Sequence, residues 1–279
     1  MFGTLAMTLL LTGGPATSAG IKWERSFEEA LKKAKATRKP ILVDFWAEWC
    51  GWCHRLDKTT YVDPVVVRKA DEFVAVKINT EGSRKEADVA IRYDVQSLPT
   101  ILFLSPEGHP VHRLNGFQGP GQFPRTLDQA LEVAKRILLL EAAIEKNPND
   151  AAALAGLGRH LYEEESYEES RDLLERSVQG DRDEPAPSRR QARMMLAIIQ
   201  NYDRKYAEAE GLLKDALNIK PTGEDQAKIL FVLGRTYASW NRRDDAQKMM
   251  QRILRDYPGS PMAQKARETL VALDRKPRQ

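Results

Sequence analysis

Apolar and polar positions in the first half of the chain switch between helical and strand periods. Phe27, Ala30, Leu31 and Ala34 recur at helical spacing, with Ser26 as N-cap and Glu29 three residues on, which predicts a helix over 26–36. Ile41 to Trp46 is a short apolar run after Pro40 and reads as a buried strand. Val65 to Ala70 predicts a second short helix, Phe73 to Asn79 a strand, and Arg84 to Tyr93 a helix. Thr100 to Leu104 and Val111 to Leu114 then read as strands, joined by the turn Pro106-Glu107-Gly108. Strands interleaved with helices, plus one terminal hairpin, predict an α/β domain whose mixed sheet carries helices on both faces.

The second half changes character, because strand signals disappear after Thr126. Thr126 with Gln129 forms a capping-box pattern that opens a helix with Leu127, Ala130, Leu131, Ala134, Ile137 and Leu138 on one face. It runs to Lys146, where Asn147-Pro148-Asn149-Asp150 stops it. Beyond that point the chain repeats itself. Leu233-Gly234, Tyr237, Ala246, Met250 and Pro258 follow the offsets of the tetratricopeptide pattern, and this stretch resembles that repeat. Thirty-seven residues earlier stand Leu196-Ala197, Ala209, Leu213 and Pro221; thirty-nine before those stand Leu157-Gly158, Leu161, Ser170 and Leu174. These spacings exceed the usual period of about 34, and loops such as Asp183 to Ser188 are expected to absorb the excess. The resemblance implies an all-α domain over 147–279, made of three repeats and a final solvating helix near Pro261 to Asp274. Stacked repeats form a concave groove that takes a protein or peptide. Arg159 and Arg235 fall at equivalent inner-helix positions, though ordinary exposed residues fit them as well; Trp240 and Tyr202 read as packing between helices.

Composition changes this picture little. Of 279 residues, 42% are hydrophobic and 30% charged, ordinary values for globular domains, and the length allows two cores. A net charge of +3 with both signs mixed is too small to imply a nucleic-acid partner, so none is expected, and the body of the chain holds no bilayer-length apolar stretch. Residues 1–20 differ: they carry no charge, with an apolar stretch from Phe2 to Leu11 and small residues Thr17-Ser18-Ala19 before Gly20. This predicts a secretory signal and a periplasmic or otherwise exported protein, although the usual early Lys or Arg is missing. Gly13-Gly14-Pro15 and the short length speak against an uncleaved anchor, and a non-functional signal would leave the protein in the cytoplasm. The expected layout is therefore a signal over 1–20, an α/β domain over 21–146, and repeats over 147–279.

The chemistry concentrates in Trp49-Cys50-Gly51-Trp52-Cys53-His54, which holds both cysteines. A C-x-x-C where a strand gives way to a helix suits dithiol–disulfide exchange. The spacing predicts both thiols in the first helical turn, with the Cys50 sulfur near free N–H groups that favour a thiolate. Cys53 faces inward, so Cys50 attacks and Cys53 resolves. A structural disulfide is a weaker reading, because so short a loop stabilises little. Zinc held by the two thiolates and His54 lacks a second close pair of ligands.

The segment Ile41 to Cys53 resembles the active-site segment of thioredoxins. Asp57 to Pro64 and Phe73 to Asn79 are closer to the periplasmic thioredoxin-like branch that includes the C-terminal domain of DsbD. Ser97 to Phe103 resembles the family's cis-proline segment, and Gly116-Phe117 its last turn; the similarity runs from about Trp23 to Ile137. The resemblance implies a redox disulfide between Cys50 and Cys53, and a buried Asp44 that takes a proton from Cys53. It further implies a cis Pro99, which with Leu98 pairs with an extended substrate, and Trp49 as an apolar docking rim. Trp52 replaces the proline of thioredoxin, so that protein's potential does not transfer.

The expected function is thiol–disulfide exchange without a cofactor or metal, probing disulfides in substrate proteins through Trp49, Trp52, Leu98 and Pro99. Asp44 and the Leu98–Pro99 pair point to electron donation, with a membrane disulfide reductase as the source of electrons. Two other readings stay open: an adaptor in which the repeats are primary and the thioredoxin-like domain docks, and an oxidase or isomerase of the same fold.

Overall fold

The computed structural model describes residues 20–180, 186–219 and 221–275. The expected signal, except Gly20, lies outside the described residues, as does part of the 183–188 loop. The chain divides into two compact units. One runs through Pro106 and takes in Leu114–Leu131; the other holds Glu107–Arg113 and the chain from Glu132 onward.

The chain forms a five-stranded sheet in the order β1-β3-β2-β4-β5. These strands are β1 (Trp23–Glu24), β2 (Ile41–Trp46), β3 (Val74–Asn79), β4 (Thr100–Leu104) and β5 (Pro110–Asn115). β2 lies in the middle, parallel to β3 and antiparallel to β4. β1 escapes the sequence pattern because two residues show no period; its parallel pairing with β3 defines it. Along β2 the side chains alternate. Ile41, Val43 and Phe45 enter a core with Val74, Val76, Ile78, Leu102 and Leu104, together with Phe27, Ala30 and Ala34 of α1 (Phe27–Thr37). Leu42 and Asp44 therefore face the opposite side of the sheet.

Local signals start these helices. The Ser26 hydroxyl accepts the Glu29 N–H at 3.1 Å, as its spacing predicts. Between the cysteine-bearing helix, α2 (Gly51–Arg55), and β3 lies α3 (Pro64–Ala70), capped by Asp63. Ser83 and Glu86 form a capping box on α4 (Arg84–Arg92). The expected box at Thr126 is a correction. α5 (Phe123–Lys146) begins three residues earlier, and the buried Thr126 hydroxyl donates to Gln118 Oε1 at 2.6 Å. A tertiary partner outcompetes the local one there.

The second unit is helical. Three helix pairs follow α5: α6 (Ala151–Glu163) with α7 (Tyr167–Gly180), α8 (Ala186–Tyr202) with α9 (Tyr206–Asn218), and α10 (Gly223–Ser239) with α11 (Arg243–Asp256). α12 (Pro261–Arg275) closes the series. Part of the extra repeat length goes into helix: α8 and α10 have 17 residues each where α6 has 13, and residues 186–188, expected in a loop, belong to α8. Glu165, Arg204 and Asn241, spaced by the same 39 and 37 residues, each turn the chain with positive φ between the paired helices. Trp240 packs between helices, stacked on Tyr206 at 6.1 Å, and Tyr202 meets Tyr167 of α7 at 6.2 Å while staying 73% exposed. Among the described residues no helix is long and apolar enough to cross a membrane.

The small residues set the closeness of each pair. A Cβ on Gly158 would sit 2.9 Å from Leu174 Cγ and 3.3 Å from the Ser170 carbonyl oxygen; one on Gly234 would sit 2.6 Å from Met250 Cε. Ala197 faces Ala209 and Leu213 in the same core cluster. By contrast, a Cβ on Gly211 meets nothing within 4 Å. Gly158→Val is therefore expected to lower the unfolding free energy by about 1–3 kcal/mol through overpacking. Gly211→Ala should raise it by up to about 1 kcal/mol through helix propensity. Chemical denaturation followed by circular dichroism checks both; equal effects would remove the close-packing account.

Candidate functional site

β2 ends at Trp46, and a tight turn follows in which the Cys50 N–H donates to the Ala47 carbonyl at 3.0 Å. Cys50 has extended backbone (φ −79°, ψ 94°) and is the N-cap of α2. It thus stands just outside the helix, with only Cys53 inside the first turn. Its Sγ accepts the Cys53 N–H at 3.2 Å, taking the place that a Ser or Asp oxygen usually fills at a helix start. The two sulfurs form a disulfide with Cα atoms 5.3 Å apart. Cys53 is fully buried and Cys50 is 3% exposed, so only an edge of the outer sulfur's residue meets solvent. After Arg55 the helix widens into a π-helical turn, Leu56–Thr60, closed by the Tyr61 N–H on the Leu56 carbonyl at 2.9 Å. Such turns concentrate at functional sites.

Asp44 is fully buried on the sheet face away from the β2 core cluster, and neither of its oxygens has a hydrogen-bond partner. Its register partner in β3 is Lys77, whose Nζ lies 3.4 Å from Asp44 Oδ2. Lys77 also pairs with Asp57, four residues past Cys53, and sits over the rings of Trp23, Trp46 and Tyr61 at 5.4, 5.4 and 5.7 Å. Burial pushes the Asp44 carboxyl up to about 6; the Lys77 charge opposes this and the Asp57 charge adds to it. Burial, with the Asp44 and Asp57 charges, holds the Tyr61 hydroxyl well above its usual pKa.

Exposed aromatics flank the disulfide. Trp49 is 67% exposed, and its indole N–H donates to Glu81 at 2.8 Å. Trp52 is 55% exposed, with its ring 5.4 Å from that of Phe117. The Leu98–Pro99 peptide bond is cis. Pro99 is buried and Leu98 half-buried; since Thr100 is the register partner of Phe45, Pro99 stands at the end of β2 from which the cysteine loop leaves. The Gly116 N–H donates to the Pro99 carbonyl at 2.8 Å. His54 donates from Nε2 to the Glu48 carbonyl at 2.8 Å.

The pattern of types missed Lys77, Asp57, Tyr61 and Glu81. One signal for Lys77 was present: it is the lone cation in the apolar run Phe73 to Ile78, as Asp44 is the lone anion in Ile41 to Trp46. Pairing them required the strand register.

Asp44 carries a stability consequence. Its pKa is raised in the folded protein, so the folded state disfavours its ionisation: stability is fullest below about pH 4 and falls as pH rises through about 6. Asp44→Asn is expected to stabilise the protein at pH 8 by about 3 kcal/mol, from two pH units at 1.36 kcal/mol each, and the gain should vanish near pH 4. Denaturation midpoints across that range check it; a pH-independent difference would contradict the buried-carboxyl account.

A family model for a thioredoxin-like domain matches residues 27–131, and tetratricopeptide-repeat models match 137–185 and 202–270. A thioredoxin-like protein of Synechocystis is 34% identical over 104 residues, 37% of this chain and 93% of that protein. Chloroplastic thioredoxin Y of Oryza sativa subsp. japonica is 38% identical over 110 residues, 39% of this chain and 60% of that protein. The thiol:disulfide interchange protein DsbD of Vibrio vulnificus is 33% identical over 99 residues, 34% of this chain. The match spans only 17% of DsbD and less than two thirds of thioredoxin Y. With a helix-capping disulfide on a mixed five-stranded sheet, followed by repeats, the chain belongs to the thioredoxin-like family and joins that fold to tetratricopeptide repeats.

Proposed function

We propose that the chain is an exported thiol–disulfide oxidoreductase that reduces disulfides in other proteins through its Cys-Gly-Trp-Cys segment, while the repeats hold a protein partner. The observation that carries this reading is the Cys50–Cys53 disulfide at the start of α2, with Cys50 the more exposed member. Export rests on the charge-free, apolar pattern of residues 1–20. The printed name of DsbD, a thiol:disulfide interchange protein, supports the exchange chemistry.

In the dithiol form, the Cys50 thiolate attacks one sulfur of a substrate disulfide. That bond breaks, and the departing substrate thiolate takes a proton from solvent. The α2 N-terminus favours the attacking anion, since first-turn N–H groups and the helix dipole stabilise negative charge. Cys53 then passes its proton to Asp44 and attacks the Cys50 sulfur; the Cys50–substrate bond breaks, and the second substrate cysteine leaves as a thiolate that takes a proton from solvent while Asp44 returns its own to solvent. The protein loses two electrons and the substrate gains two electrons and two protons. A carboxylate with pKa near 6 takes a thiol proton less unfavourably than an ordinary aspartate would. Asp57 and Lys77 link the cysteine-bearing helix to Asp44 and provide the charges that tune it. Trp49, Trp52, Leu98 and Pro99 form the surface on which the substrate chain rests. A dithiol donor restores the reduced form, and for an exported protein a membrane disulfide reductase is the fitting class.

Insulin reduction with dithiothreitol should require Cys50, so Cys50→Ser is expected to abolish turnover. Cys53→Ser should accumulate mixed disulfides with native substrates, recoverable by non-reducing electrophoresis. Unchanged insulin reduction by Cys50→Ser would overturn the mechanism.

A further inference from the structure

The side of the disulfide bordered by Trp52 carries a cation that the exchange mechanism does not use. Arg55 is exposed, and its guanidinium lies 5.3 Å from the Trp52 ring centre and 5.2 Å from that of Phe117. Among the described residues no carboxylate pairs with it. The two rings meet each other at 5.4 Å, so a guanidinium and two aromatic faces form one ledge. Lys58, three residues on, is exposed and adds a second positive charge.

This ledge joins the two segments that a substrate chain must touch. Trp52 lies between the cysteines, while Phe117 follows Gly116, whose N–H holds the Pro99 carbonyl. A chain that presents sulfur to Cys50 while resting on the Pro99 segment passes beside Arg55. On the other side of Cys50 in the chain the charge has the other sign: Trp49 is tied to Glu81, and Glu48 beside it is exposed. The segment before Cys50 thus brings acidic side chains and the segment after it a basic one. The guanidinium is exposed while lying near both rings, and its planar fork of N–H donors matches a carboxylate.

Resting on the exchange reading above, we propose that Trp52, Arg55 and Phe117 form a specificity ledge for polypeptide disulfides carrying an Asp or Glu carboxylate close to the reacting cysteine. Arg55 receives the carboxylate, and the rings of Trp52 and Phe117 receive the apolar part of the same segment. A lysine at that substrate position meets Arg55 and Lys58 and is rejected.

The test uses the reduced full-length protein and three disulfide-linked peptides that differ only in having Glu, Gln or Lys two residues from the cysteine. Second-order exchange rates are read by stopped-flow fluorescence. The Glu peptide is expected to react about five- to tenfold faster than the Lys peptide at low salt, the scale of one partly screened charge contact. That ratio should approach one at about 1 M salt, where the screening length falls to about 3 Å. Because each variant is judged on its own Glu-to-Lys ratio, changes in thiol reactivity cancel. Arg55→Glu should reverse the ratio, and Arg55→Gln should shrink it. Equal rates for all three peptides, or a ratio untouched by Arg55→Glu, would overturn the ledge while leaving the exchange reading intact. Absence of exchange with every peptide, and with hydroxyethyl disulfide, would instead bring down the exchange reading and the ledge with it.

Discussion

A carboxyl group held out of water in the middle of a sheet is costly unless something compensates its charge, and Asp44 organises this site through that cost. Neither oxygen finds a hydrogen-bond donor of good geometry, and the nearest cation is the Lys77 ammonium 3.4 Å away. Lys77 is shared with Asp57 and lies over three aromatic rings, so one positive charge answers two carboxylates. Three charges of which two are negative leave a deficit, and burial makes Asp44 the group that takes up a proton. The arrangement depends on register. Slipping β2 by one residue would send Asp44 into the cluster of Val43, Val76 and Leu102, where nothing offers a charge.

The sequence made the elements legible where the signal was local. The helix cap at Ser26, the run Ile41 to Trp46 and the stop after Lys146 each depend on residues within a few positions, and each lies where the pattern puts it. The misreadings have a common physical cause. Thr126 carries a valid local cap pattern, but Gln118, eight residues earlier, takes its hydroxyl once the fold brings them together. β1 is too short to show a period and exists through its pairing with β3. The Asp44–Lys77 contact spans thirty-three residues of chain and becomes visible only when β2 and β3 are aligned. Cap and period signals report what a segment prefers, while register reports what it meets.

The helical unit shows the same division on a longer scale. The positions that let helices approach, Gly158, Ala197 and Gly234, recur at spacings of 39 and 37, and so do the turn residues Glu165, Arg204 and Asn241. Close approach and chain reversal are both local demands, which is why the repeats can be read directly. Where the surplus residues go is a packing question. The structure adds part of them to α8 and α10, extending helices that bury Ala192, Leu196, Ile229 and Leu233. A loop of the same length would leave backbone groups to be satisfied by water and would bury none of that apolar surface.

Around the disulfide, depth sorts the charges by what each can control. Asp44 and Lys77 lie where water is excluded or restricted, so their interaction is strong and little affected by salt. Such groups suit the fixed task of placing a proton. Glu81 and Arg55 lie in solvent, where fields are weak and screened. A weak, screened charge does little to the sulfur chemistry, but it biases which chains come close and in which orientation. Tethering each exposed charge to a tryptophan changes that balance. Glu81 is held by the Trp49 indole and Arg55 by the Trp52 face, so less side-chain freedom remains to be lost when a substrate arrives. The two tryptophans thus differ in what they hold: Trp49 keeps a carboxylate and Trp52 a guanidinium close to the cysteine segment.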